Sequence, residues 1–477
     1  MKAAIVAVAL LGSSCSARSS GAGTSLNPVQ AVLLPDGASA NNPLAHVGAN
    51  GPWHIESGED LTGISSEVPE GCQVDQAAYV SRHGSRYPDQ GAHNGWLEMA
   101  RRFRESKYTA TGPLSFIHTW ESPLTNPEIQ IAQLSKTGYK ELYPDLYQEG
   151  EDFVVWANNY TRVLQTAQLF LHGFLGTNSS LGTVVSVTGK GFPSHLGDTL
   201  APSDMCPAFV DDSSKQQDEW RQRWLPAFKK RLSKYIKGDL QLDDSTWNDF
   251  PYICGFESQI TGKLSPFCDT FTQKELEAYE YQQDLRYYYG VGPATKVASK
   301  MMVPFLESLI ERFVAGPDAT GKNFDGTPFK LPKILMSFLN DGQLNELAVA
   351  TGVFDKQAPL PLDRIPKDRI WRSSNISPMK GAIAFERLSC STNKGYGSKK
   401  FVRILVNDIV YPVPSCQDGP GKSCSLAKYS KFTKDRLRKN GNFAKLCNAT
   451  DPATPSKVLG ASFFTNLAQS HLQAVKP

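Results

Sequence analysis

Four near-continuous apolar runs punctuate the chain, and between them apolar residues recur at helical spacing. The runs are Ala77-Ala78-Tyr79-Val80, Phe153-Val154-Val155-Trp156-Ala157, Ile334-Leu335-Met336-Ser337-Phe338-Leu339 and Phe401-Val402-Arg403-Ile404-Leu405-Val406. Short uninterrupted apolar segments of this kind predict buried strands, here around 76–81, 153–157, 334–339 and 401–406. After the second run, Leu164, Ala167, Leu169, Phe170 and Leu171 follow a helical pattern. Further helical patterns lie at roughly 218–237, 273–286 and 296–314. In the first of these, Phe228, Leu232 and Tyr235/Ile236 repeat after Pro226, which a helix accepts in its first turn. Arg221, Arg223, Lys229, Lys230, Arg231, Lys234 and Lys237 then form the wet face of an amphipathic helix rather than a binding rim.

The N-terminus and the cysteines bear on its compartment. Lys2, the apolar run Ala3–Leu11 and small residues up to Ala17 read as a signal peptide over 1–17. That run is too short to span a bilayer, and no later stretch is long and apolar enough, so no membrane role is expected. Residues 18–50, rich in Gly, Ser, Ala and Asn, read as a loose arm. Cleavage near Ala17 would remove Cys15 and leave Cys72, Cys206, Cys254, Cys268, Cys390, Cys416, Cys424 and Cys447. An even set in an exported chain predicts disulfides, with Cys416/Cys424 and Cys254/Cys268 the near-neighbour candidates. Sequons at Asn159, Asn178, Asn375 and Asn448 permit N-glycosylation of a secreted protein. The 477 residues, 40% of them hydrophobic, suffice for one or two cores. A formal charge of +3, with its Lys and Arg dispersed, argues against a nucleic-acid partner. Nothing in the pattern specifies an oligomeric state.

The chemistry is concentrated in Arg82-His83-Gly84-Ser85-Arg86-Tyr87-Pro88, directly after the first predicted strand. Ligands of α/β proteins bind at such C-terminal strand ends. Guanidinium forks match phosphate or carboxylate oxygens. Flanking cations disfavour a proton on His83 and leave a neutral, nucleophilic imidazole. The second strand leads to Arg162 at the start of its helix, adding a cation where backbone N–H groups already favour anions. The third ends in Asn340-Asp341-Gly342.

Arg-His-Gly-x-Arg-x-Pro resembles the signature of the histidine acid phosphatases, the family of secreted acid phosphatases and phytases. Gly51-Pro52-Trp53, Pro69-Glu70-Gly71-Cys72, Asp284-Leu285-Arg286-Tyr287-Tyr288-Tyr289-Gly290 and Asn407-Asp408 through Gly421 are similar to fungal members with a strongly acidic optimum. The resemblance covers most of the chain from about residue 50. It implies a phosphoglycerate-mutase-like α/β sandwich (51–200 and 330–477) with a smaller, mainly helical cap (201–329), the catalytic cleft between them, and a Cys72–Cys390 bridge. It makes Arg162, followed by Val163, Thr166-Ala167 and Phe170-Leu171-His172-Gly173-Phe174, the third phosphate-binding arginine beside Arg82 and Arg86.

It further implies that His83 is the nucleophile, forming a phosphohistidine, and that Asp341 is the proton donor. Asn340 stands where the family usually has histidine. An amide still donates a hydrogen bond to phosphate but carries no charge. The expected activity is a broad acid phosphomonoesterase acting on small phosphate monoesters, phytate among them, and releasing inorganic phosphate. No metal or cofactor is expected, because the arginines supply the positive charge and no Cys-x-x-Cys or His-rich spacing suggests zinc. Since an ordinary aspartate titrates near ~3.9, activity should be highest in acid. The competing expectations are a weakened or inactive secreted anion-binding protein, on the strength of Asn340, and a phosphoryl mutase.

Overall fold

The computed structural model describes residues 42–54, 61–132, 147, 151–391, 399–456 and 460–477. A nine-stranded sheet organises them. Its strands are β1 (Cys72–Arg82), β2 (Phe153–Asn158), β3 (Gly182–Val187), β4 (Ile334–Leu339), β5 (Ala382–Cys390), β6 (Lys400–Val406), β7 (Ile409–Val410), β8 (Cys424–Ser425) and β9 (Leu472–Val475). They lie in the order β7-β6-β5-β1-β4-β2-β3-β9, with β8 pairing with β6. β1, β4, β2 and β3 run parallel. Antiparallel neighbours flank them: β5 and β6 on one side, β9 on the other. All four predicted strands are present, and the family's α/β fold with helical parts is the one observed.

Burial on both faces explains the uninterrupted apolar runs. Ala78, Val80, Trp156, Leu335 and Leu339 point into one core. Ala77, Tyr79, Val155, Ala157, Met336 and Phe338 point into a second core on the opposite face. Successive side chains of a strand alternate between faces, so a strand between two cores needs apolar residues at every position.

The helices used below are α1 (Gln90–Glu105), α2 (Thr161–Leu175), α3 (Ser214–Leu232), α4 (Asp244–Thr261), α5 (Gln273–Gly290), α6 (Val303–Ala315), α7 (Asp341–Thr351) and α8 (Leu426–Asn440). α2 returns along the sheet and buries Val163, Ala167, Phe170 and Leu171 in the second core. Helices α3 to α6 all lie between β3 and β4 in sequence. α5 starts with a capping box in which Thr272 and Glu275 satisfy each other's terminal N–H groups.

Three local expectations are corrected. α3 begins at Ser214, so Pro226 lies inside the helix rather than in its first turn. The stripe Trp220, Trp224, Phe228, Leu232 is buried, and that packing outweighs the lost backbone hydrogen bond. The helix also stops short of 237, because Ile236–Gly238 pairs as a ribbon with Tyr108–Ala110. The loose arm expected over 18–50 does not extend through its last residues. From Asn42 onward the chain forms two tight turns, Pro43–His46 and Gly48–Asn50, with Leu44, Val47 and Ala49 buried. The rest of that arm and the signal peptide lie outside the described residues.

Disulfides join Cys72–Cys390, Cys206–Cys447, Cys254–Cys268 and Cys416–Cys424. The first ties residues directly paired across β1 and β5. Of the sequons, Asn159 and Asn448 are exposed, whereas Asn375 is 5% exposed and packed within a short helix. A glycan at Asn375 is incompatible with this packing.

Candidate active site

The register of the central strands brings three loops together. Arg82 is paired with Leu339 across β1 and β4, and Ala157 with Phe338 across β2 and β4. The three parallel strands therefore end side by side, and each is followed within four residues by predicted site residues. His83 N–H donates to the Leu339 carbonyl at 3.0 Å. Gly84 N–H donates to Thr166 Oγ1 at 3.0 Å, and that hydroxyl donates to the Arg162 carbonyl at 2.7 Å. The loop after β1 is thus stitched to β4 on one side and to the first turns of α2 on the other.

His83 is wholly buried, and its Nδ1 lies 2.8 Å from the Gly84 carbonyl. A carbonyl only accepts, so Nδ1 carries the proton and the lone pair is on Nε2. Nε2 has no hydrogen-bond partner among the described residues. Burial, followed by the charges of Arg82, Arg86 and Arg162, holds the imidazole well below its ordinary pKa. A buried, neutral imidazole with an unpartnered lone pair amid three guanidiniums has the chemistry to act as a nucleophile toward an anion.

The three arginines are held differently. Arg82 is 1% exposed and donates through Nη1 to the carbonyls of Ala49 and Ser377. Arg86 donates to the Tyr87 carbonyl at 2.9 Å and lies over the Phe256 ring of α4, 5.2 Å from its centroid. Arg162 is half-buried on the first turn of α2, over the Tyr160 ring. In each, the buried Nε lacks a partner among the described residues. Buried donors of this kind are satisfied by an anion with several acceptor oxygens.

Asp341 opens α7, where the helix N-terminus favours a carboxylate. Its Oδ2 lies 3.8 Å from Arg82 Nη2 and accepts a 2.5 Å hydrogen bond from Tyr287 of α5. Burial works to raise its pKa but is outweighed by Arg82, the Tyr287 hydroxyl, His83 and Arg86. The carboxyl is held well below the usual range. Asn340, 8% exposed, occupies the N-cap position of α7 without making a capping bond, so the backbone does not consume its amide. Arg82 therefore closes β1, and the other five predicted residues follow within four positions of the ends of β1, β2 and β4, the geometry expected of an anion site in an α/β sheet.

A profile of the histidine phosphatase superfamily (branch 2) matches residues 73–407. The chain belongs to this superfamily. A phytase of Candida albicans is 29% identical over 452 residues, covering 90% of this chain and 93% of the relative. An acid phosphatase of Saccharomyces cerevisiae is 26% identical over 452 residues, covering 89% and 90%. The crystal structure of the phytase from D. castellii superposes with a TM-score of 0.74 at 22% identity, covering 89% of this chain and 90% of that one, which shows the shared fold.

In this histidine phosphatase the site also draws on residues that the sequence pattern did not single out for roles. Tyr287 and Phe256 come from helices lying between β3 and β4 in sequence. Glu346, further along α7 from Asp341, is wholly buried but makes no hydrogen bond to these site residues. Burial, with Asp204 and Asp211 adding to it and Ser203 opposing, raises its carboxyl well above the ordinary value. A raised folded-state pKa gives stability that is fully present below the unfolded value and lost as pH rises through the folded one. Through this group the protein should therefore lose thermal stability on going from about pH 4.5 toward neutrality. Glu346→Gln, which mimics the neutral acid, should flatten that loss in a series of melting curves.

Among the described residues, His195, Asp198 and His471 are near enough to suggest a metal. Their geometry does not fit one. The two imidazoles stack with centroids 3.7 Å apart and planes inclined by 21°, and His471 Nε2 is already engaged by the Asp198 carbonyl at 2.8 Å. Asp198 is already taken up by the N–H groups of Ser462 and Phe463 and the Ser462 hydroxyl. Cys416 and Cys424, beside Asp418, are joined in a disulfide and offer no thiolate.

Proposed function

We propose that this protein is an acid phosphomonoesterase working through a phosphohistidine on His83. The observation carrying the proposal is the His83 ring, with Nδ1 bonded to the Gly84 carbonyl and Nε2 free beside three guanidiniums. Arg82, Arg86 and Arg162, with the Asn340 amide, hold the phosphate and offset charge as it spreads over the oxygens. Nε2 attacks phosphorus in line as the ester P–O bond breaks, and Asp341 protonates the departing oxygen. Water then attacks the phosphohistidine, giving its proton to Asp341, and inorganic phosphate leaves. Asp341 must be protonated for the first step, and its surroundings favour the ionised form, so turnover belongs to acid pH.

The substrates are small phosphate monoesters. Among them we place phytate, the substrate named for two of the similar proteins, alongside simple esters rather than above them. Much of the charge on α3 is engaged locally: Arg221 with Asp218, Lys229 with Asp244 and Arg231 with Glu275. That supports a solvated helix face, not a rim for a polyanion. Four disulfides favour an extracellular, oxidising location. No helix among the described residues is long and apolar enough to cross a membrane.

The test is phosphate release from an aryl phosphate and from phytate across acid pH, without added metal. Release from both, falling toward neutrality, is expected. Folded protein that releases phosphate from neither would move the anion-binding alternative to the front. Phosphate passed to a second hydroxyl instead of to water would favour a mutase.

A further inference from the structure

The Asp341 carboxyl has two oxygens in unequal surroundings. Oδ2 accepts from Tyr287 at 2.5 Å and lies 3.8 Å from Arg82 Nη2. The Tyr287 hydroxyl is itself held from outside the site. Its ring, 6% exposed, lies under the Arg286 guanidinium at 5.1 Å. Arg286 is fixed in turn by paired 2.6 Å bonds to both oxygens of Asp211. On the assumption that Asp341 donates the proton, we propose that Tyr287 is a positioning residue: it occupies Oδ2, confines the transferable proton to Oδ1, and sets the pH at which Asp341 becomes an acid.

The proton balance is simple. The O–H bond on Oδ1 breaks, its proton joins the departing alkoxide, and the carboxylate left behind is stabilised by Tyr287 and Arg82. Tyr287 keeps its own proton throughout, because burial and the neighbouring carboxylate hold its hydroxyl above the ordinary phenol range. Other charged and titratable groups also face Asp341. They are Arg82, His83 and Arg86 from β1 and its loop, Arg286 from α5, and Arg162 from α2. Tyr287→Phe leaves all of them in place and removes one hydroxyl.

A hydrogen bond to the ionised form favours that form, so its loss raises the pKa of Asp341. In Tyr287→Phe the descending limb of kcat/KM against pH should move upward by about one to two pH units. Alkyl phosphates, whose leaving oxygen needs the proton most, should lose about tenfold more kcat/KM than aryl phosphates at the wild-type optimum. Tyr287→Met, which also drops the ring, should move the limb in the same direction. Folded variants with an unmoved limb and an unchanged alkyl-to-aryl ratio would overturn the role, as would a fall in rate alone. Asp341→Asn separates the two levels. If it penalises alkyl and aryl esters equally, the proton-donor assignment fails. If it penalises alkyl esters more while Tyr287→Phe changes nothing, only the positioning role fails.

Discussion

His83→Ala is expected to lose phosphate release by at least about 1,000-fold and to yield no trapped phosphoenzyme, with the fold retained. Among the described residues the imidazole's Nε2 lone pair has no partner and is set amid three guanidinium charges, and the proposed mechanism has no second imidazole to replace it. Its contribution to stability is a separate matter. The folded state holds the ring neutral, whereas the unfolded chain takes up a proton below about pH 6.5. The unfolded state then binds more protons, so through this group the wild type loses stability as pH falls from that value toward the depressed one. The alanine variant lacks this loss, and its melting temperature relative to wild type should improve in acid. Rates, acid-quench labelling and melting curves on the same samples check all three expectations. Retained turnover in folded His83→Ala would end the phosphohistidine mechanism.

Arg82→Ala should damage activity and fold together. Arg82 is 1% exposed, and its removal strands the carbonyls of Ala49 and Ser377 and takes the nearest cation from Asp341. Stranded buried polar groups cost roughly 1–3 kcal/mol each, so a loss of about 3–5 kcal/mol in unfolding free energy is expected. The loss in kcat/KM should be about 100- to 1,000-fold, as for other residues that offset transition-state charge. Arg162→Ala provides the contrast. Arg162 is half-buried and stacks on Tyr160, so its replacement should cost comparable activity but much less stability. Denaturant titrations of the two variants beside their kinetics decide the matter. Equal stabilities would mean that the Arg82 contacts to Ala49 and Ser377 carry no weight in the fold.

The parts of the site legible in the sequence share one property: each lies within a few residues of the end of an apolar run buried on both faces. A strand end fixes the place of the residues just beyond it, so Arg82, His83, Arg162, Asn340 and Asp341 could be grouped before any contact was known. Tyr287 lay in a stretch already recognised as distinctive, but no role could be read from it. α5 buries Glu280, Gln282, Gln283 and Asp284 as well as its apolar residues, so it shows no clean stripe pointing to one face. The Ala49 and Ser377 carbonyls that hold Arg82 could not be read at all, because backbone groups are the same at every residue. Composition misled over 42–50, where small and polar residues proved to be the ones whose backbone can approach a buried guanidinium. Pro226 misled because packing across two turns outweighed a local preference.

The position of β4 has a consequence for how the molecule is made. β4 separates β1 from β2, yet both are synthesised before it, and the chain that builds α3 to α6 comes in between. Until residue 334 arrives, β1 and β2 must remain apart, each with an unsatisfied edge that the other could fill. Direct closure of β1 on β2 would give a compact sheet with no place for Asp341. Non-local pairing of this kind is slow. The vulnerable quantity is therefore the yield of correctly threaded molecules, which a change in the helical segment can lower without altering a contact in the finished site.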